Sequence, residues 1–318
     1  MGYKRLPLVM LACVLISGAG LPAAAAGGPP ANSGLHGSSC AAAADTGSKF
    51  TAPDSGVTTT GLGSDAPAYY EIGAPSGAYA GRAPRAIMIV IHPGGWFFVG
   101  KEVVARWARP MANRWRDAGW QTINIDYRAC GQSIVDVLWF MQRVRVLHPE
   151  AVICAVGSSA GGHLAMLLAT MRQDLACAIS RAGPTDLLSL DRQSTFDSGS
   201  FTRAGPQLLS NYAIAAFGAK PSPLVYRSPR QQAKNITARV LLATGQTDPL
   251  VPRAQDTEFA KTLRAARPSG YVDVVSLPAG DRFFVHTYVS RASLSELRLR
   301  EDALVAPLLA PAQTQTRR

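Results

Sequence analysis

The stretch Ala151-Val152-Ile153-Cys154-Ala155-Val156-Gly157-Ser158-Ser159-Ala160-Gly161-Gly162-His163-Leu164-Ala165-Met166 decides the fold. Apolar and small residues, several of them β-branched, run into a glycine, and a helix-forming segment leaves on the far side. That order predicts a strand, a sharp turn and a helix. The turn Gly157-Ser158-Ser159-Ala160-Gly161 matches G-x-S-x-G, the pattern of a nucleophile elbow. An elbow imposes strained backbone angles on its serine and presses strand against helix, so it needs small residues two before and two after. Ser159 has glycine at both places, whereas Ser158 has Val156 and Ala160. A Gly-rich turn that binds nothing is the plainer alternative. The strand before and the helix after supply the context that favours a nucleophile.

Working outward, Ala86 to Ile91 is a continuous apolar run, as a strand buried on both faces would be. It ends in His92-Pro93-Gly94-Gly95-Trp96, where glycines let backbone N–H groups face a ligand without side-chain obstruction. A tight loop that packs Trp96 is the competing reading. Val104, Trp107, Met111 and Trp115 recur at helical spacing, with Pro110 a site for a kink. Gln121 to Tyr127 is another strand, and Ile134, Val137, Leu138, Met141 and Val144 form a second helical stripe. Strands follow at Ala176 to Ser180, Arg239 to Thr244 and Val272 to Leu277, with a last helix around Leu294, Leu297 and Leu304. Alternating strands and helices predict an α/β domain with a mostly parallel central sheet flanked by helices. Residues 188–235 are less regular and read either as a small cap over the site or as a decorated loop.

A nucleophilic serine needs a base, and elimination leaves one histidine. His36 lies in the leader, His92 in the glycine loop, His148 ahead of the elbow strand, and His163 too near Ser159 along its own helix. In the order serine, acid, histidine that this elbow uses, His286 remains. The acid must hold the imidazole in one tautomer and offset the charge it gains. Asp248, at the end of the preceding strand, is the first choice, Asp281 the second and Asp186 a distant third.

The chain has 318 residues, 47% of them hydrophobic, enough for one large α/β core. Its net charge is +11, or +9 once a leader with Lys4 and Arg5 is gone. The basic residues are scattered and match no zinc-finger or RNA-binding signature, so no nucleic-acid partner is expected. A basic start, an apolar run from Leu6 to Ile16 and a small-residue zone ending at Ala26 predict a signal peptide over 1–26. The run is short for a bilayer, so no stable span is expected after its removal. Residues 27–64 read as a flexible leader, 65–312 as the catalytic domain with order beginning near Tyr69, and 313–318 as a basic tail. Destination is the secreted or cell-envelope space. Cys154 and Cys177 fall on neighbouring strands and are expected as unpaired thiols, while Cys40 with Cys130 is a candidate tie. Neither His nor Cys clusters at ligand spacing, so neither metal nor cofactor is expected.

From about Ala86 to His286 the chain resembles the α/β-hydrolase superfamily, particularly carboxylesterases of the hormone-sensitive-lipase type and their prolyl-oligopeptidase-like relatives. The matching residues are His92-Pro93-Gly94-Gly95-Trp96, Asp126-Tyr127-Arg128, the run from Gly157 to Ala165, and Ser228-Pro229 before the Asp248 strand. The resemblance implies Ser159, Asp248 and His286 as a catalytic triad and N–H groups near Gly94, Gly95 and Ala160 as an oxyanion hole. Pro93 replaces a glycine of the family loop and has no N–H, so the hole must use later residues. Trp96 and Phe97, beside that hole, are candidate substrate contacts. The expectation is an exported serine hydrolase acting on a small-molecule or polymer-borne carboxylic ester. An acyltransferase, a serine peptidase and a catalytically silent binding protein on the same fold are the rival readings.

Overall fold

The computed structural model describes residues 54–190 and 204–309. Eight strands form one sheet in the order β1-β2-β4-β3-β5-β6-β7-β8. These are β1 Val57–Thr58, β2 Tyr70–Gly73, β3 Ile87–Ile91, β4 Gln121–Ile125, β5 Ile153–Ser158, β6 Cys177–Arg181, β7 Arg239–Gly245 and β8 Val272–Leu277. β1 and β2 pair antiparallel at one edge, and β3 to β8 all run parallel. A two-stranded hairpin, β9 Ala279–Phe284 and β10 Thr287–Val289, stands apart from the sheet. The architecture is the α/β-hydrolase fold, as the resemblance implied, and the sheet is mostly parallel, as the strand–helix alternation predicted.

Residue alternation along each strand sends side chains to two cores. Ile87, Ile89 and Ile91 join one core with α2 (Gln132–Leu147), α3 (Ala160–Met171) and α6 (Arg253–Ala266). Met88 and Val90 join the other. There they meet α1, built of consecutive pieces Lys101–Val103, Val104–Ala108 (a π-helical turn) and Arg109–Asp117, together with α7 (Arg291–Val305). The parallel strands therefore end on one common edge, where loops from different strands can converge.

Two expectations are corrected. Order begins ahead of Tyr69: β1 pairs with β2, Leu62 is buried, and its N–H donates to the Tyr70 hydroxyl at 3.0 Å. Cys154 and Cys177 are also not free thiols. The parallel register sets them directly opposite, with Cα atoms 4.6 Å apart, and they form a disulfide. Cys130 is disulfide-bonded as well, while Cys40, the partner expected for it, lies outside the described residues. So do the signal peptide, most of the leader and the basic tail. In the 188–235 excursion, two helices are described, α4 (Ala204–Phe217) and α5 (Pro221–Tyr226).

Candidate active site

Ser159 sits between β5 and α3 with φ 52° and ψ −123°, a left-handed conformation that a β-carbon resists. Crowding explains the flanking glycines. A Cβ on Gly157 would lie 2.2 Å from the Gly161 carbonyl group, and one on Gly161 would lie 2.2 Å from the Ile91 carbonyl oxygen. The Ser159 N–H donates to the Arg181 carbonyl at 2.8 Å, which ties the turn to β6. Ala160 opens α3, so its N–H is one of those that a helix leaves without an intrahelical acceptor.

The two other residues expected from the sequence arrive from the later strands. His286 lies between β9 and β10, and its Nε2 is 2.8 Å from Ser159 Oγ. Its Nδ1 is 3.0 Å from Asp248 Oδ2 and 3.2 Å from Oδ1. Asp248 follows β7 and is 1% exposed. Leu250 N–H and Val251 N–H donate to its Oδ1 at 2.8 and 2.9 Å, so a tight turn at Pro249 fixes the carboxylate. Thr287, next to the histidine, anchors the hairpin by donating to the Thr247 carbonyl at 3.1 Å. The other acids are elsewhere. The Asp281 side chain is 78% exposed and pairs with Arg282. Asp186 accepts from Leu188 N–H and pairs with Arg230.

The glycine loop is held from three directions. His92 Nε2 lies 2.9 Å from Asp126 Oδ1, and its Nδ1 lies 2.6 Å from the Pro93 carbonyl. The Tyr127 ring stacks on His92 at 4.1 Å and its hydroxyl donates to the His92 carbonyl. Asp126 in turn accepts from Gly100 N–H, closing the far end of the loop. Gly94, Gly95 and Trp96 all have positive φ, and a Cβ on Gly94 would meet the Phe98 carbonyl oxygen at 2.5 Å. Trp96 does not face a ligand: it is fully buried, and its Nε1–H donates to His163 Nδ1 at 3.1 Å. That leaves the proton of His163 on Nε2, which donates to the Arg227 carbonyl at 2.6 Å. Burial pushes the His163 pKa down to about 4. His163, Asp126 and Tyr127 therefore shape the loop, although sequence reading gave none of them that part. The only signal was their membership in the matched motifs.

Phe97 remains half-buried at the site, with its ring 5.9 Å from Tyr212 of α4. Tyr212 also approaches Gly95, while Gly205 at the other end of α4 packs on the Pro249 carbonyl beside Asp248. The helix α4 thus runs from the turn after Asp248 to the glycine loop. Among the described residues, no group of three or more His, Cys, Asp or Glu side chains could hold a metal ion. No described helix is long and apolar enough to cross a membrane.

The BD-FAE family model matches residues 78–263, more than half of the chain. The chain belongs to the BD-FAE family. No curated protein sequence matches this family member. Among solved structures it is similar to a Mycobacterium tuberculosis puromycin-hydrolyzing peptidase, with a TM-score of 0.59 at 20% identity over 76% of this chain. It spans 37% of that peptidase's length. A truncated carbohydrate esterase from gut microbiota matches with a TM-score of 0.55 at 17% identity, covering 72% of this chain and 90% of the other. An inhibited esterase B from Lactobacillus rhamnosis matches with a TM-score of 0.59 at 17% identity, covering 80% and 89%. At these identities the likeness establishes the α/β-hydrolase fold.

Proposed function

We propose that the chain is an exported serine hydrolase of carboxylic esters. The observation that carries this reading is the continuous contact from Asp248 through His286 to Ser159, with gaps of 3.0 and 2.8 Å. Ser159 Oγ attacks the ester carbonyl while His286 Nε2 takes its proton. His286 then gives that proton to the departing alkoxide, leaving an acyl-enzyme. Water attacks the acyl carbon in the second half, again losing its proton to His286, and Ser159 leaves as the hydroxyl. Asp248 holds Nδ1–H and offsets the imidazolium charge. N–H groups near Gly94, Gly95 and Ala160 stabilise the oxyanion in this reading. No step calls for a metal or cofactor.

Ester hydrolysis is supported by the two esterases among the similar structures. Export is supported by the Leu6 to Ile16 apolar run after a basic start and by the Cys154–Cys177 disulfide, a bond typical of oxidising compartments. The substrate is a small or polymer-borne ester, with no nucleic-acid partner.

A fluorophosphonate probe tests the nucleophile. It should label the wild type and fail on Ser159→Ala, whose circular dichroism stays unchanged. Labelling that survives the substitution removes Ser159 from the role. p-Nitrophenyl esters, aminoacyl anilides and an added alcohol acceptor in the same plates separate the hydrolase from its peptidase and acyltransferase rivals.

A further inference from the structure

We propose that Phe283, Trp107 and Tyr288 form a shelf that receives the alcohol portion of the ester when that alcohol carries a ring with a flat apolar face. This rests on the function proposed above and assigns its leaving-group side.

Phe283 and Tyr288 are cross-strand partners in the hairpin whose turn carries His286. Phe284 turns inward and is buried, so the alternation of the strand points Phe283 outward, where it is 45% exposed. Its ring meets Tyr288 edge-on at 5.8 Å and Trp107 at 6.4 Å. Trp107 comes from the π-helical turn of α1, a local widening of the helix. It lies one turn before Met111, whose sulfur is 4.0 Å from the Ser158 hydroxyl, next to the nucleophile. The hairpin follows β8 at one side of the sheet, whereas α1 follows β3, the neighbour of the elbow strand β5. Phe284 of the hairpin joins Ala108 and Met111 of α1 in one core, so the two elements pack on the same face of the sheet.

Chemistry assigns the side. The residue that protonates the departing alkoxide must touch the leaving oxygen, so the hairpin bearing His286 borders the alcohol and not the acyl group. Covering an aromatic side chain that stands nearly half in water gains hydrophobic free energy. The face of an aryl or pyranose ring provides that cover without needing a hydrogen bond. Arg106, 5.1 Å over the Trp107 ring, already occupies part of the indole and leaves Phe283 as the open platform.

The test holds the acyl group constant. Benzyl acetate and a monoacetylated methyl glucopyranoside carry rings, and n-butyl acetate is the ring-free reference, with the variant-to-wild-type ratio on each ester cancelling differences in leaving-group basicity. Wild-type kcat/KM should favour at least one ring-bearing ester, and the better of the two names the ring. Phe283→Leu and Trp107→Leu should each lower that preference on the order of 3- to 10-fold, as loss of a ring–ring contact would. Turnover of n-butyl acetate, which reports the Ser159 chemistry itself, should hardly move. Equal losses on all three esters would mean that the aromatic contact merely positions the hairpin, and the shelf falls. A wild type without ring preference also ends the proposal. A wild type that hydrolyses none of them, or does so independently of Ser159, overturns the hydrolase reading and takes the shelf with it.

Discussion

Gly161 packs so tightly beneath β3 that a methyl group on its Cα would lie 2.2 Å from the Ile91 carbonyl oxygen. Backbone on both sides of that contact can relax only by moving the elbow away from the glycine loop, since Ile91 leads directly into His92. Gly161→Ala should therefore cost about 1–3 kcal/mol through overpacking. Because the displaced parts carry Ser159 and the expected oxyanion donors, kcat should fall further than stability does. Thermal melts and ester turnover check both numbers. Wild-type melting together with wild-type turnover would show that the elbow tolerates the methyl group.

The acid is tested by contrasting two aspartates. Asp248→Asn keeps the shape of the side chain but loses the charge and favours the wrong imidazole tautomer. It should lower kcat on the order of 10⁴-fold, the cost seen when the same change is made in a serine protease triad. Asp281→Asn should leave turnover unchanged, because that side chain is solvent-exposed and pairs with Arg282, while His286 Nδ1 is met by Asp248. The reverse ranking would move the acid to Asp281.

Much of this arrangement is written in local patterns. The elbow was legible because a buried strand, two glycines at fixed distance and a helix are all short-range features. The parallel sheet followed from alternation, and Ser159, Asp248 and His286 stood out as residues at strand ends on one edge. What stayed hidden depends on partners far along the chain. Trp96 next to two glycines reads as a substrate contact, yet its indole N–H goes to His163, 67 residues on. The Cys154–Cys177 bond depends on a register that periodicity cannot supply: a shift by one residue would have placed the two sulfurs on opposite faces. β1 has two residues, too few for any period. The β9 strand is exposed at five of six positions, so no apolar alternation marks the hairpin that presents His286.

His163 should make the fold sensitive to acid. It stays neutral in the folded protein down to about pH 4, because burial opposes its charge, whereas an unfolded histidine takes up a proton near about pH 6.5. The unfolded chain thus binds the extra proton between those values, and stability is full above that window and lost as pH falls through it. The contribution is on the order of 3 kcal/mol. Gln at this position can accept from Trp96 and donate to the Arg227 carbonyl without titrating. His163→Gln should be less stable than wild type at pH 7, yet lose less between about pH 6.5 and 4.5. Parallel melting curves for the two proteins across that range would contradict the assignment.

Asp256 should act in the opposite sense. It lies on α6, 1% exposed, and its Oδ1 has no hydrogen-bond partner among the described residues. Thr244 donates to the other oxygen. Burial first, and the nearby Asp248 charge as well, raise its pKa to about 7, while the Thr244 hydrogen bond pulls the other way. The unfolded carboxyl ionises near about pH 4, so the folded state holds the extra proton between about 4 and 7. Stability then declines as pH rises through that window and stays lower above it. The loss approaches an upper bound of about 4 kcal/mol for a fully buried group. Asn keeps an oxygen for Thr244 and cannot ionise. Asp256→Asn should therefore match wild type near about pH 4 and gain on it steadily up to about pH 7, with the difference constant beyond. The gain should shrink in an Asp248→Asn background, where no second negative charge opposes ionisation. Denaturant midpoints for the four proteins at pH 4.5, 6 and 8 decide the matter, and a difference that does not grow with pH would mean that Asp256 is already ionised in the fold.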